Sequence, residues 1–224
     1  MKDINESLYK KYDFTIDAAY IITLSGNPVS EQFTKRCISS CESVNQPYKL
    51  WQGFNGSTGN IITPEQHQNK SYLNWLKIYN IKLSPTQIGC FLSHYSLWVH
   101  CIELDKPIII LEHDAVMVNN YPEHRLYNSI VYLGSYEQSI GAPIFSIPPH
   151  ASDHNGNVRS ICRAHAYAID PAVAKNLVSY TIKQGITESL DMFIRADLFP
   201  IAQFPDLYAY DLNPDNNSTI HKEW

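Results

Sequence analysis

Leu83-Ser-Pro-Thr-Gln-Ile-Gly-Cys-Phe-Leu-Ser-His94, followed after three residues by Trp98 and then by Pro107-Ile-Ile-Ile-Leu-Glu-His-Asp114, is the stretch that decides how this chain folds. Ser84 suits a helix cap, Pro85 the first helical position, and Gln87 can return a bond to the capping residue. Behind this start, Ile88, Phe91, Leu92, Tyr95, Trp98, Val99 and Ile102 follow the i, i+3, i+4, i+7 spacing of one apolar stripe, which predicts a buried helix over 85–104. Pro107-Ile-Ile-Ile-Leu111 is then a continuous apolar run rich in β-branched residues, the pattern of a central strand covered on both faces. Glu112, His113 and Asp114 follow its last residue at once.

Outward from this block, strands and helices alternate. Ala18-Ala-Tyr-Ile-Ile-Thr-Leu24 is a short apolar run closed by the turn residues Ser25-Gly-Asn-Pro28, and reads as the first strand. Val29, Phe33, Cys37, Cys41 and Val44 recur at near-helical spacing and predict a helix laid on the sheet, with Tyr48-Lys-Leu-Trp51 as a second strand. From Gly53 to about Gln68 the composition is that of a loop with no periodic apolar face to anchor it. Residues 145–160 form a second irregular excursion, a candidate lid. Ala164-His-Ala-Tyr-Ala-Ile169 reads as a strand, and Asp170-Pro171 opens a helix that ends near Gly185. Leu190, Phe193, Ile194 and Leu198 predict a late helix with Asp191 near its start. The alternation argues for a layered α/β domain, and 224 residues fit one domain, residues 1–224, better than two.

The totals narrow the function classes. A net charge of -5 supplies no general basic field for a polyphosphate backbone, so nucleic acid is a disfavoured partner, a local patch aside. Fifteen tyrosines and four tryptophans suit stacking surfaces, although aromatic residues fill cores as readily. Cys37, Cys41, Cys90, Cys101 and Cys162 are odd in number and contain no Cys-x-x-Cys pair, which speaks against a disulfide framework and a zinc knuckle and for reduced thiols in a cytoplasm. The first residues lack a basic-then-apolar leader pattern, and no apolar run approaches the about 18 residues needed to span a bilayer, so a soluble protein is expected. Nucleotide-binding Gly-x-Gly-x-x-Gly, Walker and Gly-x-Ser-x-Gly patterns are absent.

Ligands of open α/β sheets gather beyond the carboxyl ends of strands, where Glu112 and Asp114 lie. On extended backbone, residues two apart point to one side, so both acids are expected to face a ligand while His113 turns away. Two hard oxygen groups on one side suit Mg2+ or Mn2+, which would bridge the diphosphate of a nucleotide sugar and neutralise the leaving group. Any two acids at a strand end can equally be solvated rim charges. His150, Asp153 and His154 have a metal-like spacing, but in a Pro- and Gly-rich loop with no helix to fix them.

The residues from Leu83 to Asp114 resemble glycosyltransferase family 25, which includes lipooligosaccharide and collagen galactosyltransferases, in a "Gly-Cys-x-x-Ser-His" helix followed by an apolar strand and "Glu-Asp-Asp". The likeness extends more loosely to Ala19–Leu24, His165–Pro171 and Leu190–Met192. It implies a GT-A type, Rossmann-like three-layer α/β/α domain with a mostly parallel central sheet. It also implies inverting transfer of a hexose from a nucleotide-diphosphate sugar, UDP-galactose or UDP-glucose first, to a glycan hydroxyl, with Mn2+ or Mg2+ held through the acid motif.

By the same resemblance, Thr23, Leu24, Ser25, Ser93, His94, Glu112 and His165 would contact the donor, and Glu112, Asp114 and a late ligand, His221, would hold the metal. Asp191 matches the acid that begins the family's late helix and is the expected base, since inverting transfer needs a group to take the acceptor's proton. Plainer roles stand beside these: Asp191 as a helix-dipole partner, Ser93 and His94 as a bonded pair at a helix edge, His165 as a core residue, His221 as a frayed end. Arg36 could pair with a phosphate, but a solvated helix face is the favoured reading. His113 stands where the family has its middle Asp, which puts donor or metal behaviour in question. Two other functions remain open: transfer to a modified nucleobase or a protein side chain, and a catalytically silent module that binds a nucleotide or glycan.

Overall fold

A computed structural model describes residues 13–68, 70–79, 82–134, 160–161, 164–203 and 207–211. Its strands are β1 (Ala19–Thr23), β2 (Tyr48–Gln52), β3 (Ile108–Glu112), β4 (Ala115–Met117), β5 (Ile130–Tyr132), β6 (Ala166–Ile169), β7 (Ile201–Gln203) and β8 (Ala209–Asp211). The helices are α1 (Pro28–Ser43), α2 (Pro85–Leu104), α3 (Pro171–Gln184) and α4 (Leu190–Phe193). Six strands form one sheet in the order β2-β1-β3-β6-β5-β7, and β4 pairs with β8 in a separate ribbon. β1 is parallel to β2 and β3, and β5 to β7, while β6 runs against both of its neighbours. This is the mixed, mostly parallel sheet expected of the fold class.

Period-two alternation divides the sheet between two cores. Tyr20, Ile22, Ile108, Ile110, Tyr167 and Ile169 face α2, α3 and α4. Ala19, Ile21, Ile109, Leu111, Ala166 and Ala168 face Cys37 and Cys41 of α1. The helices therefore cover both faces, which is why β3 has no polar side before Glu112. α2 has the predicted bounds and both bonds of its capping box. Asp170 caps α3 by accepting from Val173 N at 2.8 Å, and Gly185 ends it at φ +73°. Among the described residues no helix is long and apolar enough to cross a membrane, and Cys37, Cys41, Cys90 and Cys101 are free.

Several elements differ from the sequence reading. α1 is rotated: Ser30, Thr34, Cys37, Ser40 and Cys41 are buried, while Val29 is exposed. Hydroxyls can occupy that face because Thr34 and Ser40 donate to the carbonyls of Ser30 and Cys37 within the helix. The late helix stops after one turn, at Phe193, where Arg195 pairs with Ser160 in an isolated bridge. β4, β5, β7 and β8 are three-residue strands, too short to show a period.

Phe54 and Gly56, just after β2, press on the first turns of α2. A Cβ on Gly56 would sit 2.0 Å from Pro85 O, and one on Gly89 would sit 2.7 Å from Phe54 O. Only glycine permits this approach of two backbones. Helix propensity alone makes Gly89→Ala stabilising by about 1 kcal/mol. The contact reverses the sign, and we expect a net loss of about 1–3 kcal/mol in urea unfolding; a gain would show that the loop does not bear on the helix.

Candidate active site

Ile22 of β1 lies opposite Glu112 of β3 in a parallel pair, and β2 flanks β1 on the other side. The chain thus leaves β1 first to one side and then crosses to the other, and the carboxyl ends of β1 and β3 open the crevice that such a reversal creates. A cavity of about 530 Å³, open mouth included, fills the crevice. Ile22, Leu24 and Phe54 give it an apolar wall, Asn55–Ser57 a polar rim, and Cys90, Ser93, His94, Glu112 and His113 its floor.

The 53–57 segment is anchored, contrary to the unanchored loop read from its composition. Phe54 N donates to Ser93 Oγ at 2.8 Å, and the Phe54 ring stacks on His67 at 4.9 Å. His67 lies buried between Gln52 O, 3.2 Å from its Nε2, and the Tyr72 hydroxyl, 2.8 Å from its Nδ1. Burial holds the His67 pKa below its ordinary value, so it bonds these partners as a neutral ring.

β3 ends at Glu112, and His113-Asp114 form a turn into β4. The two-residue alternation expected of extended backbone therefore stops, and His113 does not turn away. It lines the cavity with Glu112, stacks on Phe33 at 5.8 Å and 7°, and has Nδ1 3.4 Å from Ser30 Oγ. Burial and then the Arg36 charge lower the His113 pKa to about 4, so the ring is neutral at physiological pH. Asp114 is tucked beneath: its Oδ1 is buried and accepts no hydrogen bond among the described residues. Arg36 is part of the site rather than a solvated helix face, since it donates to Asp114 O at 3.2 Å and packs over the Phe33 ring.

The electrostatics tie four acids together. Burial first, then the charges of Asp191 and Asp211, raise Glu112 to about 8. Burial, then Glu112 and Asp211, raise Asp114 to about 8. Asp191, on the first turn of α4, thus faces Glu112 from the helical layer, and Asp211 arrives through the pairing of Asp211 with Ala115. Sequence reading missed Asp211. The signal was the alternation in Leu207-Tyr-Ala-Tyr-Asp211, too short to stand out without its partner strand.

The remaining sequence candidates divide. Thr23 is buried with its hydroxyl 2.9 Å from that of Thr34, and Leu24 N donates to Ser30 Oγ at 2.9 Å. Ser25 is exposed and donates to Gln52 Oε1 at 2.5 Å, away from the cavity lining. Ser93 and His94 are buried within α2 rather than at its edge. Ser93 Oγ donates to Gly89 O and accepts from Phe54 N, while His94 Nε2 is 3.3 Å from Glu112 Oε1 and Nδ1 2.8 Å from the Tyr167 hydroxyl. His165 is buried with its ring edge-on to Tyr132, and its carbonyl accepts from Glu112 N at 2.9 Å. His221 and the His150, Asp153, His154 group lie outside the described residues. Cys90 is an addition: its Sγ is 3.7 Å from Glu112 Oε1, and the ligand atoms of Cys90, His94 and Glu112 all lie within 4.8 Å of one another.

The family model described as "Glycosyltransferase family 25 (LPS biosynthesis protein)" matches residues 16–140, more than half of the chain and the part that carries β1 to β5. No curated protein matches the chain.

The shifted groups set the pH dependence of the unliganded protein. Glu112 and Asp114, raised to about 8, keep protons that the unfolded chain has already released, so folding stability falls as pH rises toward 8. His94, His113 and His124, lowered to about 3, 4 and 4, refuse protons that the unfolded chain takes up below its ordinary histidine value, so their contribution falls as pH drops. The two effects oppose below about pH 6.5, and only the carboxyls act between about 6.5 and 8. Thermal unfolding across that upper window should show a decline that Asp114→Asn reduces; a flat wild-type profile would contradict the buried-acid assignment.

Proposed function

Because the chain belongs to glycosyltransferase family 25, and so is an enzyme that transfers a sugar, we propose that it moves a hexose from a nucleotide-diphosphate sugar to a glycan hydroxyl, with inversion and with Mn2+ or Mg2+ beside Glu112 and Asp114. UDP-galactose and UDP-glucose are the donors to try first. The observation that carries this reading is the buried Oδ1 of Asp114, which accepts no hydrogen bond among the described residues, in an acid cluster next to the β1–β3 crevice. A buried oxygen of this kind is costly unless a partner arrives, and hard cations take carboxylate oxygens.

The donor set fits such an ion, in keeping with a family that is typically metal-dependent. Glu112 and Asp114 would hold it, with Asp211 as a further oxygen source. When bound, it neutralises charge on the diphosphate leaving group.

The chain's own residues supply the rest. Leu24, Phe54 and Ile22 exclude water from one side of the cavity, and Asn55 and Ser57 offer polar groups at its rim. Neutral His113, stacked on Phe33, gives the floor a flat uncharged surface where an acid would repel a diphosphate. Asp191 takes the proton of the acceptor hydroxyl as its oxygen attacks the anomeric carbon and the bond to the diphosphate breaks. Its place on the first turn of α4, close enough for its charge to act on Glu112, supports a role beside the donor site. Thr23, Ser93 and His165 act at one remove, through the backbone and side chains that they brace.

The test is release of UDP from a panel of UDP-sugars with Mn2+ and with chelator. Asp191→Asn should lower kcat by about 10²–10⁴ while the donor KM changes little. Asp114→Asn should raise the Mn2+ concentration needed. Turnover that survives chelation and Asp114→Asn would overturn the cation role, and tight UDP binding without turnover on any acceptor would favour a silent binding module instead.

A further inference from the structure

Cys90, His94 and Trp98 recur at intervals of four on α2, so they form one ridge, and Tyr167 of β6 meets that ridge between the last two. Trp98 Nε1 lies 3.0 Å from the Tyr167 hydroxyl, that hydroxyl 2.8 Å from His94 Nδ1, and His94 Nε2 3.3 Å from Glu112 Oε1. Cys90 Sγ approaches the same oxygen at 3.7 Å. Trp98, Tyr167 and His94 are all fully buried, beyond the reach of bulk water.

Donor counting gives this row a direction. An indole N–H can only donate, so Tyr167 accepts from Trp98. The phenol then has one proton to place, and the acceptor within reach is His94 Nδ1. A neutral ring whose Nδ1 accepts carries its proton on Nε2, and that proton points at Glu112 Oε1. Cys90 donates its S–H to the same oxygen. Both lone pairs of Oε1 are then engaged, whereas Oε2 accepts no hydrogen bond among the described residues.

We propose that Trp98, Tyr167 and His94 form a one-way hydrogen-bond chain that locks His94 as its Nε2–H tautomer and, with Cys90, clamps Oε1 of Glu112, so that Oε2 is the oxygen presented to a ligand. Cys90, His94 and Glu112 have the mutual spacing of a three-ligand zinc site. Zinc would need the Nε2 lone pair, and the chain puts a proton there. The trio is therefore a carboxylate clamp, and Trp98, Tyr167, His94 and Cys90 are positioning residues. The consequence for catalysis rests on the role proposed above for Glu112; the tautomer and the clamp do not.

The experiment is carried out on the full chain labelled with 15N-histidine. His94 is identified by the signal that His94→Gln removes, and its ring is expected in the neutral Nε2–H form at pH 7, with the Nδ1 resonance moving downfield in Tyr167→Phe as it loses its donor. An Nδ1–H ring in the wild type, or an Nδ1 resonance indifferent to Tyr167→Phe, overturns the chain. Cd2+ alone should give no stoichiometric thiolate charge-transfer band; a one-to-one band lost in Cys90→Ser overturns the clamp in favour of a soft-metal site.

In the UDP-release assay, Tyr167→Phe and His94→Ala should raise the Mn2+ half-saturation by about tenfold with a smaller change in kcat. His94→Gln, which keeps an N–H near the Nε2 position, should recover part of that loss. Equal losses in His94→Gln and His94→Ala contradict positioning through the Nε2 proton. A wild type with no Mn2+ dependence would sink the cation role of Glu112, while the ring resonances would still decide the chain.

Discussion

Two half-buried carboxyl groups at the end of an apolar strand constrain everything around them. Four buried β3 residues, Ile108–Leu111, carry the backbone out of the core and deliver Glu112 to the crevice, with Asp114 in the turn next to it. Burial penalises the ionised form of each acid, and the neighbouring acids Asp191 and Asp211 add to the penalty. The fold has set carboxyl group against carboxyl group in a partly dry site. Such an arrangement is unfavourable by itself, and a cation would relieve it, as the proposed function requires.

Three layers of support hold that cluster. Arg36 fixes the turn through Asp114 O, the ridge of α2 grips Glu112, and the Phe54–Gly56 segment closes over the cavity by lying directly on the start of α2. The capping box that starts α2 thus serves the site as well as the helix: it sets where Pro85 and Gly89 meet the loop. Core packing around Trp98 and Phe193, whose rings stack at 6.1 Å, connects the same ridge to α4 and Asp191. One helix thus links the Glu112 end of the site to α4.

The elements that carried strong local signals were legible in the sequence. α2 could be read to the residue because its cap, its proline and its stripe agree, and β3 because four successive apolar residues leave no other reading. The location of Glu112 at a strand end followed from these. The orientation of His113 and Asp114 did not, because a turn replaces the strand at that residue and alternation no longer applies. Asp211 was illegible because its strand is three residues long and gains meaning only from its pairing with β4. Arg36 was misjudged because hydroxyl residues on α1 bury themselves through their own backbone, which rotates the helix toward the site. The chain through Tyr167 needed coordinates, since a β6 tyrosine and an α2 histidine are 73 residues apart.

The proposed activity depends on the acids beyond β3 holding a cation against a diphosphate. Its most direct measurement is the thermal unfolding of the wild type and of Asp114→Asn with UDP, in the presence and absence of Mn2+. Stabilisation by UDP that requires Mn2+ in the wild type and is lost in Asp114→Asn is the predicted result. Equal stabilisation by UDP with and without the cation, or coupling that survives Asp114→Asn, would contradict it.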